Sequence, residues 1–426
     1  MRKVVLILFL FALTEGFCFS QSRFFRQYWA EYKSEINNTN STGRPDRPRV
    51  GDRGMSTHPD YWTRTEAQVN GLIMINILDT IRNIDHAELY LELWGGHPGT
   101  SGKRFQVNGG NVYLIPDKPT AENNCEYLYP TIPFDHTQLV KGNNAIQFAC
   151  DRGTASWGHY IIDQLAVRCY LKPDNALLRS SWLINFSAKP MVNKTPLEDE
   201  VTLSLEFPVS YTDQISTVHF FGKYAGYDFN GSGKGNDWHG YTHDRKYENH
   251  IGTVTDPPFW ISWNTMMIPD QPGSMEVKAL IEFKNGLFYW SETLDGLTFP
   301  LKRKHVRLYY CTSLPKPFWS RAGQLKTAAF DLQENISEIE NAELHIRIWD
   351  GGEGEVKEPF KLNGIPYKIT SGKSVHDLVY TINKVDAKTL KQGLNEIQLL
   401  SDTEHHGIEV CWPGPALIVR FKSPVK

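Results

Sequence analysis

Sulfur is scarce in this chain, and the six cysteines include no Cys-x-x-Cys pair. That excludes the common zinc-ribbon and dithiol redox motifs. Charge is nearly balanced, at −3, so no basic stripe marks a nucleic-acid or membrane-surface partner. Beyond the first 20 residues no apolar run is long enough to span a bilayer. His-Glu-x-x-His and Gly-x-Ser-x-Gly are both missing, which argues against a zincin and an α/β-hydrolase. The Gly-rich stretches do not follow a strand-to-helix pattern, so a dinucleotide fold is not indicated.

What is present is a repeat. Residues Ile84–Gly109 recur without a gap as Ile339–Gly364. Identical at both copies are Ile84, Ala87, Glu88, Leu89, Trp94, Gly96, Gly99, Phe105, Asn108 and Gly109. Ala87, Leu89, Leu91 and Leu93 alternate with His86, Glu88, Tyr90 and Glu92, the period-2 pattern of a strand with one buried face. Ala342, Leu344, Ile346 and Ile348 repeat it. Asn108-Gly109 and Asn363-Gly364 predict tight hairpin turns. A second shared motif, L-x-x-G-x-N-x-I, runs from Leu139 through Gly142, Asn144 and Ile146, and again from Leu390 through Gly393, Asn395 and Ile397. Trp94 and Trp349 close the shared strand and are expected to fill a core.

This order of strand, Asn-Gly turn, L-x-x-G-x-N-x-I and final strand resembles the galactose-binding-like jelly roll of carbohydrate-binding modules. Between the copies, Val218–Gly222, Ile251–Thr265 and Gly273–Ala279 resemble bacterial immunoglobulin-like domains of polysaccharide-degrading and surface proteins. The resemblances imply an all-β chain in which two jelly-roll β-sandwiches flank an immunoglobulin-like one. Expected boundaries are a signal peptide over 1–20, a flexible lead-in over 21–54, the first jelly roll over 55–172, the middle domain over 173–303 and the second jelly roll over 304–426. Arg2 and Lys3 followed by the apolar run Val4–Leu13 support export, with cleavage near Ser20, to an extracellular or periplasmic location. The remaining cysteines lie in apolar, strand-like contexts and are expected to be buried small hydrophobes.

Chemistry concentrates in Tyr227–Gly240 of the middle domain. Asp228, Asn230, Ser232 and Gly233 occupy positions 1, 3, 5 and 6 of a calcium loop, with the Lys234 carbonyl at 7 and Asn236 at 9. His239 stands where a bidentate Glu belongs, and Asp237 is the available substitute. A Gly/Asn/Ser-rich loop without an ion is the competing reading. Tyr227, Trp238, His239, Tyr241 and His243, with Trp157 and His159 of the first repeat, form the aromatic and histidine set expected to contact a sugar. Packing of the same rings onto their own sandwich competes with that expectation. Asp237 and His239 are the acid–base candidates if the protein is an enzyme.

Three functions remain open from the sequence. The first is non-catalytic recognition of an extracellular polysaccharide or glycan, within a polysaccharide-degradation system. The second is a glycoside hydrolase or polysaccharide lyase, and the third a structural surface protein. The sequence leaves the oligomeric state open.

Overall fold

The computed structural model describes residues 22–30, 49–51, 71–96, 100–116, 126–151, 159–315, 325–350, 360–368, 377–400 and 408–424. The chain is all-β, as the alternation predicts, and three apolar cores hold it together. Ala87, Leu89, Leu91 and Leu93 all enter the first core, and Leu344, Ile346 and Ile348 enter the third. The middle core is built from strands including Glu200–Glu206, Ile215–Ala225 and Met275–Phe283.

The two copies fold alike. In the first, Leu72–Ile77, Gly142–Ala149, Arg104–Val107 and Val112–Leu114 form a four-stranded sheet in that order. Lys326–Leu332, Gly393–Leu399, Phe360–Leu362 and Ile365–Tyr367 repeat the order in the second. The shared L-x-x-G-x-N-x-I motif has a physical cause. Asn144 is fully buried, donates to the carbonyls of Val140 and Gly142 (both 2.8 Å) and accepts the Val140 amide at 2.7 Å. Asn395 does the same with Lys391 and Gly393. Each also accepts a bond from the hairpin asparagine of its own copy, Asn108 or Asn363. Gly142 and Gly393 have φ of 104° and 87°, a region that favours glycine.

Two short stretches of the expected 21–54 lead-in are strands. Phe24–Trp29 is a strand inside a twelve-stranded sheet. One edge pairs with His159–Leu171 of the first repeat and the other with Phe288–Trp290 of the middle unit. Arg49–Gly51 adds a further short strand against His159–Leu171. Alternation explains the placement: Phe25 enters one buried cluster on one face and Phe24 the middle core on the other. The main path of this sheet runs Asn236–Trp238, Ile215–Ala225, Met275–Phe283, Phe288–Trp290, Phe24–Trp29, His159–Leu171, Ile84–Trp94 and Tyr127–Leu128. Two sandwiches therefore share one uninterrupted sheet.

The outer face of the first-repeat strand is not solvated, as the alternation alone implies. Tyr90, Glu92 and Trp94 are all buried there. Trp94 and Trp349 do not fill their own sandwiches. They join Tyr127, Leu378 and Cys411 in a cluster between the two repeats. Cys150, Cys169 and Cys411 are buried and Cys311 is half-buried; Cys125 lies outside the described residues.

Phe25→Ala is expected to cost about 3–5 kcal/mol, because the emptied site sits at a seam with little room to collapse. Urea unfolding of the full chain measures it. A loss below about 1 kcal/mol would show that the bridging strand is dispensable.

Candidate functional site

The outer face of the shared sheet, the insertion 226–250 and the 128–131 segment enclose an open cleft of about 620 Å³. Its floor takes alternate residues from successive strands: Glu88, Arg168 and Tyr170 from the first repeat, Lys278 and Trp290 from the middle unit. Asp237 and Trp238 close one side and Tyr129, Tyr241 and Tyr247 another. Trp238 and Trp290 are half-buried, so each indole keeps a surface for a ligand.

Charge in the cleft is arranged in an unusual way. Lys278 lies between the two indoles, its Nζ 4.1 Å from the Trp238 ring centre and 4.2 Å from that of Trp290. Burial, reinforced by the Arg168 charge, pushes its pKa down to about 8. Arg168 sits over the Tyr90 ring at 4.5 Å and donates from Nε to Gln27 Oε1 at 2.8 Å. Both carboxylates are held by neutral donors: Glu88 Oε2 accepts from the Tyr170 hydroxyl at 3.1 Å, and Asp237 Oδ1 accepts the Trp238 amide at 2.8 Å.

The insertion itself is clamped between the repeats. Its hairpin, Tyr241–His243 and Lys246–Glu248, docks on the first repeat through Glu92. That carboxylate accepts Thr242 Oγ1 at 2.6 Å and the amides of Asp244 and Arg245 at 3.1 Å each. Burial nonetheless raises its pKa to about 7. Tyr90 supports the same contact by accepting the Thr242 amide at 3.0 Å. On the other side Tyr227 donates to the Gly414 carbonyl at 2.9 Å and stacks near Tyr380, at 5.7 Å, in the second repeat.

These contacts redistribute the residues expected to bind sugar. Tyr227 is buried among rings of the second repeat, so packing wins over ligand contact there. His239 is buried and stacked on Tyr224 at 3.8 Å, with Nε2 2.9 Å from the Tyr224 carbonyl. Burial lowers its pKa to about 4. It does not line this cleft, but it shares with Asp237 the lining of a small neighbouring space of about 10 Å³. Tyr241 is buried and stacked on Tyr129 at 4.3 Å, and it is among the residues that line the cleft. His243 lies 3.5 Å from Glu248 and outside the cleft lining. Trp238 and Asp237 do line it. Trp157 and the side chain of His159 lie outside the described residues. Sequence reading missed Glu88, Arg168, Lys278 and Trp290. The only signal for them was their outward register on strands recognised for their inward residues.

The proposed calcium loop is closed by its own amides. Asp228 accepts the Ser232 and Gly233 amides at 2.7 Å each, and Asn230 Oδ1 also accepts the Ser232 amide at 2.9 Å. Ser232 Oγ accepts the Lys234 amide at 3.2 Å. Asn236 begins the short strand that Asp237 and Trp238 complete, and it pairs with Ala225. The buried Arg347 guanidinium comes so close to Gly231 that a Cβ there would lie 2.8 Å from it. Among the described residues no group of three or more His, Cys, Asp and Glu is placed to hold a metal. Position 12 is a buried histidine and the Arg347 cation lies against the turn, both unfavourable to a calcium shell, and no step below uses one.

Two expectations follow. Glu92 prefers its proton in the folded state, so it adds no cost below its unfolded pKa near 4.5 and destabilises as pH rises towards 7. His239 acts oppositely, with stability lost as pH falls from about 6.5 towards 4. Between pH 5 and 8, Glu92→Gln should therefore lose less stability than wild type, by on the order of 3 kcal/mol. Urea midpoints at the two pH values measure this, and parallel losses in both proteins would refute it. Millimolar calcium should shift the melting temperature by less than about 1 °C, whereas a shift of several degrees would restore the calcium reading.

No protein-family model matches the chain, and comparison with curated proteins finds no match. Among solved structures, it is similar to a beta-porphyranase of glycoside hydrolase family 86 from the human gut bacterium Bacteroides plebeius. Identity is 17%, over 56% of this chain and 37% of that one, with a TM-score of 0.24. An alfa-L-rhamnosidase from Aspergillus terreus matches at 16% identity over 55% of this chain and 27% of that one, with a TM-score of 0.18. An uncultured Clostridium sp. beta-glucuronidase matches at 7% identity over 66% and 48%, with a TM-score of 0.19. The chain spans less than half the length of each. Scores of this size transfer no activity to this chain.

Proposed function

We propose that this protein recognises a polysaccharide in the cleft between its first repeat and its middle unit, without cleaving it. The arrangement of Trp238 and Trp290 around polar groups in one open cleft carries this reading. Indole faces stack on the apolar faces of pyranose rings, and Glu88, Asp237, Arg168 and Tyr170 bond the hydroxyls. In this reading the units over 55–172 and 304–426 are jelly-roll modules, and 173–303 is an immunoglobulin-like spacer that supplies half of the site. The chain is exported through its residue 1–20 signal, and the partner is an extracellular glycan. No helix among the described residues is long and apolar enough to cross a membrane.

One observation favours a second reading, a glycoside hydrolase or lyase: two carboxylates, Glu88 and Asp237, face the same cleft. Glycoside hydrolysis requires such a pair. Against it, both carboxylates are already held by neutral donors, Tyr170 and the Trp238 amide, and His239 is not among the residues lining this cleft.

Native affinity electrophoresis of residues 21–426 against a polysaccharide panel, with parallel assays for released reducing ends, separates these readings. The expected outcome is retardation without product, reduced about tenfold by Trp290→Ala or Trp238→Ala, each worth roughly 1.4 kcal/mol. Product release that disappears in both Glu88→Gln and Asp237→Asn would replace binding with catalysis. No retardation and no product on any polymer would leave a structural surface protein.

A further inference from the structure

The Lys278 ammonium group is held between two indoles at 4.1 and 4.2 Å, in the wall of an open cleft. Among the described residues it has no hydrogen-bond acceptor and no ion-pair partner. Nearby lysines differ: Lys223, on the adjacent strand, pairs with Glu276 at 2.7 Å. Aromatic faces offset part of the desolvation of a cation but accept none of its three N–H bonds well. A half-buried ammonium with open donors is therefore set up for an acceptor that comes from outside.

Arg168 has the same character. Its Nε is satisfied by Gln27, and its guanidinium rests on Tyr90, but no carboxylate lies within ion-pair distance among the described residues. Glu88 stands opposite Arg168 in the strand register, yet its bond goes to the Tyr170 hydroxyl. The exposed Lys234 sits on the rim of the same cleft. The cleft thus contains both carboxylates and cations, but the two sets are not neutralising one another through direct pairs. Burial and the neighbouring Arg168 charge depress the Lys278 pKa, as expected for two cations facing a common space.

Resting on the carbohydrate reading above, we propose that the glycan bound here is anionic, with a sulfate ester or uronate carboxylate received by Lys278 and Arg168. The indoles stack on the sugar while the fixed charge lies at the cations. Oxygen anions bonded to ammonium and guanidinium form the stronger, charge-assisted class of hydrogen bond. Arg168 offers a planar fork and Lys278 a point charge between two walls, so the pair suits a tetrahedral or planar oxyanion on a ring substituent.

The test uses the full mature chain and matched polymers: a sulfated galactan and the same galactan after desulfation, and polygalacturonate and its methyl ester. Affinity electrophoresis at constant ionic strength is the readout, since salt screens the contact. Expected is at least tenfold stronger retention on one charged polymer than on its uncharged counterpart. The arm that shows it identifies the anion as sulfate or carboxylate. Lys278→Met, which keeps an unbranched apolar stem between the indoles, should abolish that preference, and Lys278→Arg should retain it. Thermal melting of each variant establishes that it is folded. Equal retention on charged and uncharged forms, or a preference that survives in folded Lys278→Met, overturns the anion assignment and leaves carbohydrate recognition standing. Absence of retention on all four polymers, together with the wider panel, overturns both.

Discussion

Everything in the cleft depends on the backbone ladder of Phe24–Trp29. That strand has one hydrogen-bonded edge in the first repeat and the other in the middle unit. Without it, His159–Leu171 and Phe288–Trp290 would be two exposed sheet edges, a known liability for β-proteins. With it, side chains separated by about 120 residues in sequence, Arg168 and Trp290, stand on one face of one sheet. The strand does this with few residues because its two faces serve different partners. Phe24 packs with Phe186, Phe283 and Tyr289 in the middle core, and Phe25 stacks on Phe288 and lies against Tyr170 across the seam.

The repeats show how one backbone serves two purposes. Position 92 of the first copy is Glu and its counterpart, 347, is Arg, and both are fully buried on the outer face of the shared strand. Glu92 gathers amides and a hydroxyl from the insertion hairpin. Arg347 donates to the Tyr127 carbonyl at 3.1 Å and the Trp412 carbonyl at 3.0 Å, tying the first repeat to the second. A buried charge is tolerated only when its bonding capacity is met locally, so each residue fixes the segment that satisfies it. The inward positions, Ala, Leu, Leu/Ile and Leu/Ile, hardly changed between copies because packing density restricts them. The non-conservative changes, Tyr90 to His345 and Glu92 to Arg347, lie outward, where the copies meet different neighbours.

This division also explains what was readable beforehand. The inward alternation, the Asn-Gly turns and the Asn144 and Asn395 motifs are local: each residue's partners lie within one copy, so the pattern shows in the sequence. The lead-in strand was not readable, because Phe24–Trp29 pairs with residues 137 to 265 positions away and its own composition resembles a loop with aromatics. The aromatic run 224–250 was readable as unusual but not as buried. Composition is the same for a ring stacked on a sugar and for Tyr227 stacked near Tyr380. Lys278 looked like an ordinary outward lysine on a half-buried strand, since neither indole beside it is its neighbour in sequence.

A site assembled at a seam has a thermodynamic consequence. An occupant that touches Arg168 of the first repeat and Lys278, Trp238 and Trp290 of the middle unit meets its full set of contacts only when the two units are docked. Mass action then requires that binding stabilise the docked arrangement over any arrangement in which the seam opens. The reverse also holds: whatever secures the seam raises affinity by the same factor, because the coupling is reciprocal. Glu92, Arg347 and the bridging strand never touch the cleft's occupant in this arrangement, yet they govern how often its two walls are in place. The burial of the Glu92 carboxyl and the Arg347 guanidinium, costly in each sandwich considered alone, is therefore the means by which three separate cores present one surface.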